Sequence, residues 1–320
     1  MLGYLLRSLI ERLVLLVVVS VLAHAMVHLA PGEPSEVDPM NPRMKPEDVA
    51  RLRAAFHLDE PLHLQYAYWV RDLATGELRS FKDNQPVLPR IGERFMNSLP
   101  LFVLATLVIW TLSFPLGVQA ALRRGSRFDR TTTVLAYALI AIPGFFLAYL
   151  VIIAAVQVLG LPVIGMRTFG AETAPLSVRV MDRIWHLALP TLMLAFGGIA
   201  MLSRYARAQM IEVLAADYVR TAHAKGLPAE TVTYRHALRN ALLPFVTMFG
   251  LMLPGLVGGS VIIEQIFAWP GIGRLGYEAI LGRDYPVVLT LNLFAAVLTV
   301  AGTFLSDVLY ALADPRIRLR

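Results

Sequence analysis

Runs of apolar residues as long as one bilayer crossing, with charge confined to their ends, constrain this chain more than any other feature. A hydrocarbon core about 30 Å thick takes about 20 helical residues, and in lipid a helix satisfies its own backbone hydrogen bonds. Six such runs are readable: Ile10–Leu29, Leu99–Ala120, Thr132–Val158, Leu187–Tyr205, Leu243–Ile263 and Val287–Ala311. The expected fold class is therefore an all-α membrane protein with six transmembrane helices. Composition agrees: 57% of residues are hydrophobic and 16% charged, against about 45–50% and 25% in soluble domains. Mean hydropathy is +0.60. The absence of cysteine excludes disulfides, thiolate zinc, iron–sulfur clusters and a cysteine nucleophile.

Basic residues of the short connections set the expected orientation. Arg123, Arg124, Arg127 and Arg130 follow the second run, and Arg207, Arg220, Lys225, Arg235 and Arg239 follow the fourth. Arg7 and Arg12 open the chain, and Arg316, Arg318 and Arg320 close it. Both termini and these two loops are expected in the cytoplasm. The net charge of +6 then belongs beside anionic lipid headgroups and not to nucleic acid. Leu29-Ala-Pro-Gly-Glu-Pro-Ser35 offers no small-x-small cleavage site, so the first run reads as a retained helix.

Three regions depart from plain spanning helix. Pro31–Ser98, proline-rich at its start, reads as a small external subdomain with a short helix over Pro46–Phe56. Pro143-Gly144 interrupts the third run in mid-bilayer, where the lost hydrogen bonds need a neighbour or a lined cavity. Glu264–Pro286, with Pro270, Gly271, Gly273, Gly276 and Gly282, is expected to be an irregular external or re-entrant hairpin.

Motifs exclude most chemistry. Gly271-Ile-Gly-Arg-Leu-Gly276 matches G-x-G-x-x-G, yet its flanks are bilayer runs and not a βαβ unit, so its glycines read as turn and packing positions. Phosphate-loop, nucleophile-elbow and H-E-x-x-H signatures are missing, and an enzyme, a cofactor or a bound metal is not expected. His24 and His28 share a helix face and could ligate a metal ion or relay a proton; the favoured expectation is that they sit at the headgroup level or against a neighbouring helix. Gly255-Leu-Val-Gly-Gly259 has the spacing that lets helices approach closely.

The loop Arg207–Asn240 carries the functional signal, being far longer than most helix–helix connections. Asp217 is placed to cap a helix over Tyr218–Lys225, and Gly226 with Leu227-Pro228 stops it. Tyr218, Val219 and Ala222 are expected on one side, with Arg220, Thr221 and Lys225 offering polar contacts. A second amphipathic stretch, Ala229–Ala241, leads back to Leu243-Pro244. A rigid rod bracketed by spans can move them when a partner grips it.

Asp217-Tyr-Val-Arg-Thr-Ala-His-Ala-Lys-Gly226, followed by Arg235-His-Ala-Leu-Arg-Asn-Ala-Leu-Leu-Pro244, resembles the coupling segment of bacterial ABC-importer permeases for dipeptides, oligopeptides and nickel. Gly125-Ser-Arg-Phe-Asp129, Trp185-His-Leu-Ala-Leu-Pro190, Phe267-Ala-Trp-Pro-Gly-Ile-Gly-Arg-Leu275, Arg283-Asp-Tyr-Pro286 and Asp314-Pro-Arg-Ile317 are similar to further signatures of that family's B-type subunit. The resemblance implies a type I importer permease fold that works with a second permease subunit, two ABC ATPase subunits and an extracytoplasmic substrate-binding protein. It implies ATPase-coupling residues Asp217, Tyr218, Arg220, Thr221, Ala222, Ala224, Lys225 and Gly226. Arg220 stands where the general importer motif has a glutamate. The implied division is a first helix over 1–30, an external subdomain over 31–96, a type-1 permease domain over 97–313 with the coupling loop at 206–241, and a tail at 314–320. Peptides are the expected solute, with nickel chelates or glutathione-like compounds as the alternative. An ATPase-independent channel or carrier would call for carboxylates inside the spans, and apart from Glu11 and Asp307 near their ends the runs have none. Pro143, Gly144, Gly255 and Gly259 are the candidate pathway or gating positions.

Overall fold

A computed structural model describes residues 2–29, 46–250, 255 and 261–313. The first helix, α1, spans Leu2–Leu29. Two short helices follow, α2 over Pro46–Ala55 and α3 over Leu62–Thr75, and then α4 over Val87–Leu122. The third expected span is two helices, α5 (Arg127–Ala141) and α6 (Gly144–Gln157), bent by 96°. A long α7 covers Leu176–Leu214 and a short α8 covers Asp217–Ala224. The chain returns through α9 (Ala229–Thr231), a π-helical turn over Val232–Ala237 and α10 (Leu238–Ala241). It ends in α11 (Leu243–Gly250), α12 (Val261–Ile266), α13 (Ile272–Leu281) and α14 (Tyr285–Ala313).

Among the described residues, α1, α4, α7 and α14 are long and apolar enough to cross a membrane, and the bent α5–α6 pair is a fifth if its two helices form one span. The expected span Leu243–Ile263 falls partly outside the described residues. With 36 residues in α4 and 39 in α7, these helices run about 54 and 58 Å, well beyond a 30 Å core. The sequence-based spans were shorter because charged turns such as Arg90–Arg94 and Arg179–Arg183 fall outside an apolar window. Helix continues through them.

Two ends of the bundle differ. α4 and α7 run side by side in the same direction and share the most extensive helix–helix contact. Gly117 and Gly198 make that approach close: a Cβ at Gly117 would lie 2.5 Å from the Ser203 carbonyl oxygen and 2.7 Å from the Ala206 Cβ, and one at Gly198 would strike Ile109. Such small-residue contacts replace the hydrophobic drive that lipid does not supply. At the end where both helices finish, Val118, Ala121 and Met210 pack with Val219, Ala222, Val232, Ala237 and Ala241. At the opposite end Trp69, Leu78, Val87 and Ile91 share a core with Ile272, Leu275, Val287 and Leu291.

Helix α1 is fastened at both ends. Arg12 donates to Asp307 of α14 at 2.6 Å, and near its far end His24 Nε2 meets the Leu62 carbonyl at 3.2 Å while His28 Nε2 meets the Gln65 side chain at 2.8 Å. The two histidines thus pack against α3, one of the two placements that the sequence left open. No group of three or more metal-capable side chains occurs among the described residues.

The segment Glu264–Pro286 is more ordered than its glycines suggested: a turn between α12 and α13, then a second before α14. Phe267, Trp269, Ile272 and Leu275 are fully buried in it. Glu264, also fully buried, accepts from Ser98 Oγ at 2.6 Å and from the Arg274 N–H at 2.8 Å. Ser98 Oγ in turn accepts from the Ile272 N–H at 2.8 Å. A Cβ at Gly271 would collide with the Glu264 carboxyl group, so this glycine makes room for the carboxylate. Helix α12, and not a strand, precedes the glycine motif.

Candidate coupling site

The helix α8 is short, so its placement depends on caps and on a seat. The sequence expected Asp217 as N-cap. The structure has Ala216 there, at φ −70° and ψ 146°, with Asp217 as the first helical residue and no side-chain cap. Asp217 instead faces solvent, 3.7 Å from Arg220, both almost fully exposed. Asp217 still lies where the N-terminal partial positive charge favours an acid. The stop is as expected: Lys225 is the C-cap, Gly226 adopts φ +78°, and its N–H donates to the His223 carbonyl at 2.9 Å. Only glycine takes that left-handed angle without steric cost.

The seat is two residues wide. Val219 and Ala222 are 1% and 8% exposed and share a core with Met210 of α7, Val118 and Ala121 of α4, and Val232 and Ala237 of the returning π-helical turn. Tyr218, expected beside them, is 44% exposed. With so little of the helix covered, a residue at the edge of the stripe turns outward. Arg220, Thr221, His223, Ala224, Lys225 and Gly226 are exposed as well, and Thr221 Oγ1 donates back to the Asp217 carbonyl at 2.9 Å. Of the eight proposed coupling residues, seven therefore face outward and Ala222 faces the bundle. Tyr234, Arg235 and Arg239 of the returning segment are also exposed, and the outward surface carries charges of both signs, with Asp217 beside Arg220. It offers a grip, and no nucleophile–base pair for covalent chemistry.

The pathway candidates are dispersed. Pro143 and Gly144 lie at the α5–α6 break, exposed, with nothing within 4 Å of a Cβ placed on Gly144. Gly255 is exposed, and a Cβ there would lie 3.8 Å from Phe102, an ordinary contact. Gly259 lies outside the described residues. The glycines that do hold helices together, Gly117 and Gly198, were not singled out by the sequence because they sit in no short motif.

Sequence reasoning also missed the polar joint beside the seat. Arg207 of α7 donates to Asp129 of α5 through Nε at 2.6 Å and Nη2 at 2.9 Å. Asp129 also accepts from the Gly125 N–H at 2.8 Å, and its own N–H donates to Ser126 Oγ, the N-cap of α5. One turn earlier on α7, Arg204 donates to the Tyr137 hydroxyl at 2.8 Å and stacks 4.0 Å over its ring. The motif Gly125–Asp129 carried the signal. Arg207, counted only as a loop charge, was its hidden half.

Comparison with known proteins decides the class. Residues 113–319 match the family described as binding-protein-dependent transport system inner membrane component, and residues 1–116 match the N-terminal model of the same systems. The chain belongs to this family. It is 37% identical over 319 residues to the oligopeptide transport system permease protein AppB of Bacillus subtilis, covering 99% of each chain. It is 33% identical to the dipeptide transport system permease protein DppB of Alkalihalophilus pseudofirmus, over 99% of this chain and 100% of the relative. Identity to the glutathione transport system permease protein GsiC of Salmonella choleraesuis is 34%, over the whole of both. The resemblance seen in the coupling loop thus extends along the full length. The chain is a multi-pass inner-membrane permease subunit of an ABC importer, working with ATPase and substrate-binding partners, and it is not itself an enzyme.

Proposed function

We propose that this chain, paired with a second homologous permease, forms the pathway through which a bacterial importer takes up di- or oligopeptides, and that α8 is where two partner ATPases deliver force. The single observation behind this reading is the division of α8 into a two-residue buried seat and an exposed, charged face that carries Tyr218. A helix so held is tied to the end of α7 and to the returning π-helical turn. The α8 end faces the cytoplasm with both termini, following the basic residues of that end, and the subdomain 31–96 faces the binding protein. Closure of the ATPases on ATP then opens the pathway outward, and release reverses it. The full-length relatives named for oligopeptides and dipeptides support peptide as solute. The glutathione relative supports a second reading, a small glutathione-like peptide.

Reconstitution of the complex tests this. With a binding protein and labelled peptides, uptake needs ATP and is lost when Tyr218→Asp and Arg220→Glu are introduced together, with membrane insertion unchanged. Peptide transport by the lone chain in liposomes without ATPase, or normal uptake by the α8 variant, refutes the proposal.

A further inference from the structure

We propose that the Arg207–Asp129 pair, with Arg204 over Tyr137, is a strut that makes the broken α5–α6 span follow α7, so that Asp129 and Arg207 are positioning residues for coupling. The inference rests on the role given above to α8.

Its geometry is specific. Arg207 lies ten residues before Asp217 on α7, whose end carries α8. The contact is bidentate, and Asp129 is 4% exposed. A planar guanidinium gripping a carboxylate with two parallel bonds resists rotation as well as separation, which a lysine point charge does not. Asp129 is also tied to the backbone of its own loop through Gly125 and Ser126, so a displacement of Arg207 reaches the α5 N-terminus directly. Arg204 and Tyr137 repeat the link two turns further along α5. Behind these contacts α5 is not close-packed: a cavity of about 170 Å³ lies among α4, α5 and α7, lined by residues including Gly117, Thr133, Ala136, Ser203, Arg204 and Arg207. The polar contacts at its edge add a directional connection between α5 and α7 to the packing of the two helices. α4, by contrast, meets α7 backbone to backbone at Gly117 and needs no strut. Movement of α7 would therefore carry α5 as a lever as far as the 96° break at Pro143.

The experiment uses the reconstituted complex and reads peptide taken up per ATP hydrolysed, since loss of folded protein lowers both rates and leaves their ratio intact. Asp129→Asn is expected to lower the ratio by about tenfold, the order of a typical coupling between sites, and Arg207→Lys, keeping charge without the fork, to fall between. Because the chain has no cysteine, spin labels at Val134 of α5 and Met201 of α7, both exposed, report the helices directly. In the unaltered complex their separation should stay constant between nucleotide-free and ATP-bound states; in Asp129→Asn it should change. A normal ratio with a constant label separation in Asp129→Asn overturns the strut. Normal uptake by the Tyr218→Asp, Arg220→Glu variant overturns the coupling reading itself, so the two failures are distinguishable.

Discussion

Adding one methyl group at Gly117 should part the two longest helices. Ordinary Cβ contact begins at 3.4 Å, and a Cβ here would meet the Ser203 carbonyl oxygen at 2.5 Å, so Gly117→Ala requires α4 and α7 to separate by about 0.9 Å, a gap that already forfeits a quarter to a half of the dispersion wells around it. Neither neighbour can swing aside, because one is backbone and the other, Ala206 Cβ, has no rotamer. Overpacking of this kind costs about 1–3 kcal/mol. The alanine returns about 0.5–1 kcal/mol of helix propensity, which leaves a net loss of up to about 2 kcal/mol. Gly255→Ala provides the control: its Cβ finds Phe102 at 3.8 Å and should be neutral or slightly stabilising. Thermal unfolding of the purified complex, with uptake measured in parallel, compares the two. The double variant Gly117→Ala, Ala206→Gly should recover part of the loss, since the Ser203 clash remains. A Gly117→Ala protein melting at or above Gly255→Ala would show that the close approach of α4 and α7 does not support the fold.

Three further outcomes are expected. Ala222→Leu should lift α8 from its seat against Val118 and Met210, costing about 1–3 kcal/mol and abolishing uptake while insertion persists; full uptake would contradict the buried position of this residue. Glu264→Gln leaves one acceptor for two donors, Ser98 Oγ and the Arg274 N–H, and a buried donor without a partner costs about 1–3 kcal/mol, visible as a lowered melting temperature. Burial raises the Asp284 carboxyl above its ordinary 3.8, against the Ser80 hydroxyl and Phe81 N–H that favour the ionised form. The fold therefore favours the neutral form more than the unfolded chain does, so the stability this group contributes is fully present below its ordinary value and is lost as pH rises through the raised one. Hydrogen exchange at Phe81, corrected for intrinsic rate, should show this slope, and Asp284→Asn should flatten it.

The long helices and the coupling loop were legible because their signals are local. Apolar length marks a span, and Gly226 with Leu227-Pro228 marks a stop. Pro143-Gly144 marked the break for the same reason. Asp129–Arg207 and Ser98–Glu264 were illegible because their members lie 78 and 166 residues apart, and no period or motif joins them. The turn around Phe267–Gly271 misled in the other direction. Glycine and proline there suggested loose backbone, where they admit a buried carboxylate and large aromatic rings into one tight corner.

The bend between α5 and α6 bears on how such a subunit survives after synthesis. The last carbonyls of α5 have no following turn to accept from, Pro143 brings no N–H, and the surface around them is open in the single chain. Hydrocarbon offers those groups nothing. An orphan copy in the bilayer would carry that deficit until another protein or a wet crevice covered it.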